Sequence, residues 1–278
     1  MLVCLPIAFA MNKNIILEVK NLCVEYPNET TKIQNISFSL EKGKVLGLVG
    51  ESGSGKSTVG KTVLGLLYSR AGHISGSIRL CGRELLNMSF EQHRKLNGKD
   101  IGYIMQNPMT AFDPCMRIKT HFIETICAHL PCSKKDALHI GSESLSQTGL
   151  KDINRVMNSF PHQLSGGMLQ RVMISIAVSL NPVLIIADEP TTALDAENKG
   201  IVLELLKGII KKYRPAMLFI SHDIEVVSEA VDEVAVMQQG KIVEYGKTKN
   251  VLSRPKNECT RELLKAVHFS MENELCLE

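Results

Sequence analysis

The stretch Gly50-Glu51-Ser52-Gly53-Ser54-Gly55-Lys56-Ser57-Thr58 constrains this 278-residue chain more than any other. It follows the apolar run Val45-Leu46-Gly47-Leu48-Val49 and leads into Val59-Gly60-Lys61-Thr62-Val63-Leu64-Gly65-Leu66-Leu67. The first reads as a buried strand and the second as a helix, so a glycine-rich turn joins strand to helix. In that setting the backbone N–H groups of residues 52–57 point into one concavity, and the helix N-terminus adds its positive dipole end. Such a nest takes phosphate. Lys56 is placed to reach the β- and γ-phosphates of a nucleotide, the Ser57 hydroxyl to meet Mg²⁺, and Thr58 to contact the α-phosphate. The loop as a whole predicts a nucleoside triphosphate site.

At this length the chain can bury a complete α/β core, as one large domain or as a core with a subdomain. With 44% hydrophobic and 22% charged residues the composition is that of a globular protein in water. A net charge of +3 is too small to argue for nucleic acid, and the absence of Trp leaves few platforms for stacked bases. Cysteines at 4, 23, 81, 115, 127, 132, 259 and 276 include no C-x-x-C pair. That pattern predicts scattered buried thiols in a reducing compartment, not a disulfide framework or zinc ribbon. No apolar run approaches the ~18 residues of a membrane span. The apolar opening Met1 to Ala10 is short and lacks a basic leader, which argues against a signal peptide; a true start at Met11 explains it at least as well.

Ile15, Leu17 and Val19 alternate, and Leu22, Val24 and Tyr26 alternate after a reset at Lys20-Asn21, giving two half-buried strand patterns. Pro27-Asn28-Glu29 marks a turn. Further strands are expected at Ile36 to Leu40 and Gly76 to Gly82, so the N-terminal part predicts a small antiparallel sheet beside the nucleotide core. Ile101 to Met105 reads as a strand ending at Gln106-Asn107-Pro108. From Met109 to Leu164 the pattern turns helical and loop-rich, with helices over residues 118–128 and 134–148, as an inserted subdomain would. The core resumes with a helix over 165–180, a strand over 183–187 and a helix over about 198–212. That last helix carries Ile201, Leu205, Leu206, Ile209 and Ile210 as its apolar stripe. A strand over 217–220 follows, then a hairpin turning at Gln238 to Lys241. Alternating strands and helices predict an α/β fold with a mostly parallel sheet.

Leu184-Ile185-Ile186-Ala187-Asp188-Glu189 is an apolar strand that ends in two acids. Ligands of such sheets sit beyond the carboxyl ends of the strands. There Asp188 can hold Mg²⁺, directly or through water, and Glu189 can polarise the water that attacks a γ-phosphate. A third motif, Leu164-Ser165-Gly166-Gly167-Met168-Leu169-Gln170-Arg171, opens a helix with a serine and two glycines, which makes a second anion-binding N-terminus.

This motif resembles the signature of the ATP-binding cassette (ABC) ATPases, L-S-G-G-Q-x-Q-R in most members, and the resemblance runs from Ile15 to Val267. It implies a P-loop NTPase (RecA-like) core with a mostly parallel sheet, an N-terminal antiparallel β subdomain and a helical subdomain at about 107–165. Residues 1–14 would then be an extension and 268–278 a tail. The implied activity is hydrolysis of ATP with Mg²⁺. By position, Gln106 matches the Q-loop glutamine, which contacts Mg²⁺ and the attacking water. Asp195, in Ala193-Leu194-Asp195, matches the D-loop, His222 the switch histidine on the γ-phosphate, and Tyr26 the aromatic that stacks on adenine. In the family, Ser165, Gly166, Gly167 and Gln170 of one subunit cap the nucleotide held by the other. The implied partner is therefore a second ABC ATPase, a related paralogue, in a head-to-tail dimer. Two membrane permease subunits and an extracytoplasmic substrate-binding protein complete the set at the cytoplasmic face of the membrane, with no nucleic acid.

Met168 in the signature, the loop Gly50 to Gly55 and the Gln106-Asn107-Pro108 corner resemble the peptide/nickel group of importers. Ile104-Met105-Gln106-Asn107-Pro108, Ala111-Phe112-Asp113-Pro114, His121, Glu124, Thr125, Gly167-Met168-Leu169-Gln170-Arg171 and Ile185 to Thr192 are together similar to the nickel-importing branch. Peptide importers more often show Ser-Leu-Asn-Pro after the glutamine. They also usually end in H-P-Y-T-R-x-L-L, where this chain has Asn257-Glu258-Cys259-Thr260-Arg261-Glu262-Leu263-Leu264. Cys259 and Cys276 are too few for the four-cysteine iron–sulfur cluster that some of them carry. Nickel is the expected cargo, with a di- or oligopeptide or a metal chelate as the alternative and a non-transport ABC ATPase more remote. His121, Cys127, His129, Cys132 and His139 match no zinc or nickel ligand spacing and are expected to be incidental to cargo.

Overall fold

The computed structural model describes residues 14–26, 33–67 and 73–265. The apolar opening, the Pro27-Asn28-Glu29 turn and the tail 268–278 lie outside them. The chain runs through β1 (Ile15–Glu25), β2 (Ile33–Glu41), β3 (Val45–Val49), α1 (Lys56–Val63), β4 (His73–Leu80), β5 (Arg83–Glu84), α2 (Phe90–Leu96) and β6 (Ile101–Ile104). A helical stretch follows: α3 (Ile118–His129), α4 (Lys134–Ser146), α5 (Ile153–Asn158) and α6 (Gly166–Val178). Then come β7 (Leu184–Asp188), α7 (Ala196–Tyr213), β8 (Ala216–Ser221), α8 (Ile224–Ala230), β9 (Glu233–Gln238), β10 (Lys241–Lys247) and α9 (Thr248–Ser253). Residues 258–265 are helical again.

The strands form two sheets. One is antiparallel in the order β2-β1-β4-β5; the other has the order β10-β9-β3-β8-β7-β6 and is parallel except for the β9–β10 hairpin. The mostly parallel α/β sheet and the small antiparallel one are both as the sequence predicts. The two N-terminal patterns, however, are one strand. β1 runs unbroken, and its register against β4 shifts between Lys20 and Cys23, where Asn21 adopts a φ of 49°. The extra residue of this bulge moves the inward parity from Leu17 and Val19 to Leu22 and Val24, all four fully buried. Gly76 leaves room for it, since a Cβ there would lie 2.6 Å from the Asn21 carbonyl oxygen.

The parallel strands are covered on both faces. In β8, Met217 and Phe219 pack into a core shared with the helical stretch, while Ala216, Leu218 and Ile220 face a core shared with the antiparallel sheet. In β3, Val45 and Val49 oppose Leu46 and Leu48 in the same way. Burial on both sides is why these strands read as unbroken apolar runs. The stripe of α7 is turned from its expected position: Val202, Leu203, Leu206 and Ile209 are buried, whereas Ile201 is 37% exposed. The short helices α2, α5, α8 and α9, of six or seven residues, are too brief to show a period in the sequence.

The cysteines depart from the expectation of buried thiols. Among the described residues Cys259 is buried, but Cys81, Cys115 and Cys127 are exposed. Cys81 sits in the β4–β5 turn at a φ of 49°, Cys115 in the loop before α3, and Cys127 on an outward position of α3. No helix of the described residues is long and apolar enough to cross a membrane.

Candidate nucleotide-binding site

β3, β8, β7 and β6 are parallel neighbours, so their carboxyl ends lie along one edge of the sheet. The loop Gly50–Thr58 leaves β3, His222 follows β8, Asp188 and Glu189 end β7, and Gln106 follows β6. Groups separated by more than a hundred residues thus meet at one place. A cavity of 1180 Å³ there is lined by the phosphate loop, Gln106, Glu189 and His222, with Tyr26 from the end of β1. The Tyr26 hydroxyl lies 3.4 Å from Thr58 Oγ1.

Gly50 is required by space, because a Cβ would stand 2.1 Å from the Met237 carbonyl oxygen. Gly55 caps α1 at a φ of 102°, in the left-handed region that favours glycine. Lys56 Nζ donates to the carbonyl oxygens of Gly50 and Glu51, at 2.8 Å each. Burial pulls its ammonium below the usual lysine range, against the opposing pull of Glu189, Asp188 and Glu51. Within the same loop, buried Ser54 Oγ has no hydrogen-bond partner. A buried ammonium at the N-terminus of a helix fits a chain of phosphate oxygens.

Ser57 Oγ donates to Asp188 Oδ1 at 2.8 Å, and the Tyr103 hydroxyl donates to Asp188 Oδ2 at 3.3 Å. Burial raises the Asp188 carboxyl above the usual range, opposed by the Ser57 bond, Lys61 and Tyr103. Hard oxygen donors side by side, one a desolvated carboxylate, fit Mg²⁺. The sequence reading did not single out Tyr103. Burial, reinforced by Asp188, pushes its phenol far above the ordinary tyrosine range, so it remains a donor.

Glu189 has a φ of 53°, unusual outside glycine, and its N–H donates to the Ile220 carbonyl at 2.9 Å. Its carboxylate accepts from His222 Nδ1 at 2.9 Å to each oxygen and from Thr192 Oγ1 at 2.7 Å. The glutamate side chain is 9% exposed and the histidine 53%, so the pair reaches from the protein interior to the cavity. Thr192 is a second partner that the sequence reading missed.

The signature residues stand elsewhere. Ser165 caps α6, its Oγ accepting from the Met168 N–H at 3.3 Å. Gly166 faces open space, while Gly167 abuts Asn198, where a Cβ would lie 2.2 Å from Oδ1. Asp195 caps α7 by accepting from the Asn198 N–H at 2.8 Å, a bond that holds its carboxyl below the usual range. None of Ser165, Gly166, Gly167 and Asp195 lines the cavity. Gln170 differs from the expectation more sharply. It is 1% exposed, and its Nε2 donates to the Pro190 carbonyl at 2.8 Å, so it ties α6 to the loop after β7 and has no open face for a ligand. Gln170→Ala is expected to leave that carbonyl without a donor and lower stability by about 1–3 kcal/mol, read as a lower urea midpoint with an unchanged slope.

Comparison with known proteins agrees with this geometry. The ABC transporter family model matches residues 33–192. The chain is 41% identical over 258 residues to the dipeptide transport ATP-binding protein DppD of Lactococcus lactis subsp. cremoris, covering 91% of this chain and 74% of that one. It is 41% identical over 250 residues to the metal-staphylopine import system ATP-binding protein CntD of Staphylococcus aureus, covering 90% and 92%. The dimeric post-hydrolysis state of the ATP-binding cassette MJ0796, bound to ADP and Pi, shares the fold with a TM-score of 0.74 at 24% identity, over 84% of this chain and 99% of that one. With the phosphate loop, the acid pair and the histidine on one sheet edge, the chain belongs to the ABC transporter family, as an importer ATPase that couples ATP hydrolysis to transport.

Proposed function

We propose that this cassette energises the import of nickel ions, working in a head-to-tail pair with a second, paralogous cassette beneath two membrane permease subunits. The reading of nickel rests on Ile104 to Pro108, Ala111-Phe112-Asp113-Pro114, His121, Glu124 and Thr125, together with Gly167-Met168-Leu169-Gln170-Arg171 and Ile185 to Thr192. The metal-staphylopine name of one relative supports a metal cargo. The dipeptide name of the other, at equal identity, favours peptide as the second reading.

In this mechanism the backbone of residues 52–57 and the Lys56 ammonium hold the β- and γ-phosphates, and Tyr26 stacks on the adenine. Ser57, Asp188 and Gln106 would hold Mg²⁺, which would neutralise phosphate charge. Glu189 orients the attacking water and accepts its proton. His222 holds Glu189 in place and turns toward the γ-phosphate as that oxygen gains charge. Ser165 to Gly167 lie outside the cavity of their own chain, which fits their presentation to the nucleotide of a partner. In the dimer MJ0796, ADP and Pi are bound in a paired cassette. The helical stretch, a subdomain over about 107–165, passes closure to the permease at the cytoplasmic face, and an extracytoplasmic binding protein delivers the cargo.

The test is ATP hydrolysis by the importer reconstituted in liposomes with its permease, second cassette and binding protein. Nickel-loaded binding protein is expected to raise the rate several-fold. A response to peptides with none to nickel would overturn the cargo while leaving the ATPase intact.

A further inference from the structure

The tip of the helical stretch carries two thiols that the nucleotide site does not use. Cys127 lies in the last turn of α3, and Cys132 in the loop that joins α3 to α4. Their Sγ atoms are 3.9 Å apart, and Cys127 Sγ is also 3.8 Å from the Cys132 carbonyl oxygen. Cys127 is exposed and Cys132 half-buried. Ordinary backbone bonds hold the pair together. The Leu130 N–H donates to Ile126 at 2.8 Å and the Cys132 N–H to Leu130 at 2.9 Å. The capping box of Ser133 and Asp136 then starts α4. No group of three His, Cys, Asp or Glu side chains able to hold a metal occurs among the described residues, so the two thiols are not part of a larger ligand set there.

We propose that Cys127 and Cys132 form a covalent modification site, a dithiol that a low-molecular-weight disulfide converts into an intramolecular disulfide. The Cys127 thiolate attacks one sulfur of R–S–S–R, forming Cys127–S–S–R and releasing RS⁻. The Cys132 thiolate then attacks the Cys127 sulfur, forming the Cys127–Cys132 bond and releasing the second RS⁻. The two protons lost by the cysteines end on the two leaving thiolates. The small disulfide is thereby reduced to two RSH and the cysteine pair oxidised by two electrons. Exposure sets the order, with Cys127 meeting the reagent first. Desolvation, and then the neighbouring Cys127 sulfur, hold the Cys132 thiol above its usual range, which suits it to resolve rather than initiate.

His129, between the two cysteines, bonds the Asn97 backbone, and Asn97 Nδ2 donates to the Leu64 carbonyl that closes α1 at 2.8 Å. His129 thus ties the end of α3 through Asn97 to the end of α1.

The test uses the full-length chain with oxidised glutathione, followed by intact mass and peptide mapping. The wild type is expected to lose two hydrogens from the pair, to yield one peptide linked between Cys127 and Cys132, and to retain no glutathione on either of them. Cys132→Ser is expected to accumulate glutathione on Cys127. Cys127→Ser is expected to react at Cys132 at least about tenfold more slowly. ATP binding by both variants serves as the control for folding. A lasting adduct on Cys127 of the wild type, no oxidation of the pair, or oxidation of Cys81 and Cys115 at the same rate would each overturn the proposal.

Discussion

Glu189→Gln is expected to lower steady-state ATP turnover by at least about 10²-fold while ATP remains bound. The amide is nearly isosteric and can still take the Thr192 hydroxyl, so the left-handed backbone at this position has no new reason to relax. What is lost is the proton acceptor: a neutral amide cannot accept a proton from water as a carboxylate does. In the proposed dimer, nucleotide that is bound but not cleaved keeps two cassettes together. Mixed with the second cassette, the variant is therefore expected to elute as a dimer with ATP and Mg²⁺, and as two monomers without them. Phosphate release and size-exclusion chromatography on the same sample check both halves. Turnover equal to the parent chain would remove Glu189 from the base role, and lost turnover without retained ATP would place its contribution in binding.

Lys56→Met is expected to weaken ATP binding by about 10²–10³-fold, the loss of one or two charge-assisted hydrogen bonds to phosphate. Without nucleotide the effect on stability has the opposite sign. The Lys56 ammonium is desolvated in the fold, so its folded pKa lies below its unfolded one. Between those two values the unfolded chain binds more protons, and stability rises with pH there; below both the charged lysine carries its full burial cost. Methionine removes that cost but also removes the bonds to the Gly50 and Glu51 carbonyls. The expected result is an unfolding midpoint equal to or above that of the parent without ATP, and a much smaller upward shift on adding ATP. Titration with a fluorescent ATP analogue and thermal melts with and without ATP report the two parts separately. A lysine that served only to brace the loop would instead lower the apo midpoint and leave ATP affinity unchanged.

β3, β7 and β8 were legible because burial on both faces makes each a short run of apolar residues that needs no partner to be recognised. The break at Lys20-Asn21 was visible as a change of parity. Whether a parity change means two strands or one bulged strand depends on the neighbour, and the space at Gly76 decides it. Tyr103 and Thr192 carried no signal because each acts on an acid far from it or around a turn, through a hydroxyl that any loop could contain. Gln170 carried a misleading one, since its place in a nucleotide-contacting motif does not reveal that its amide turns inward to Pro190.

By itself the sequence determined the local chemistry: a strand, a phosphate-binding turn and a helix in succession, an acid pair at the end of an apolar strand, and a helix opened by Ser165 and two glycines. These are decided within a few residues, where hydrogen bonding, glycine backbone freedom and apolar run length act between chain neighbours. The tertiary structure decided which of these pieces share a site. The order β3-β8-β7-β6 brings Lys56, His222, Glu189 and Gln106 to one cavity and leaves Ser165 to Gly167 outside it. Strand order and loop return are settled by packing between distant segments, and that packing is a property of the whole core rather than of any stretch within it.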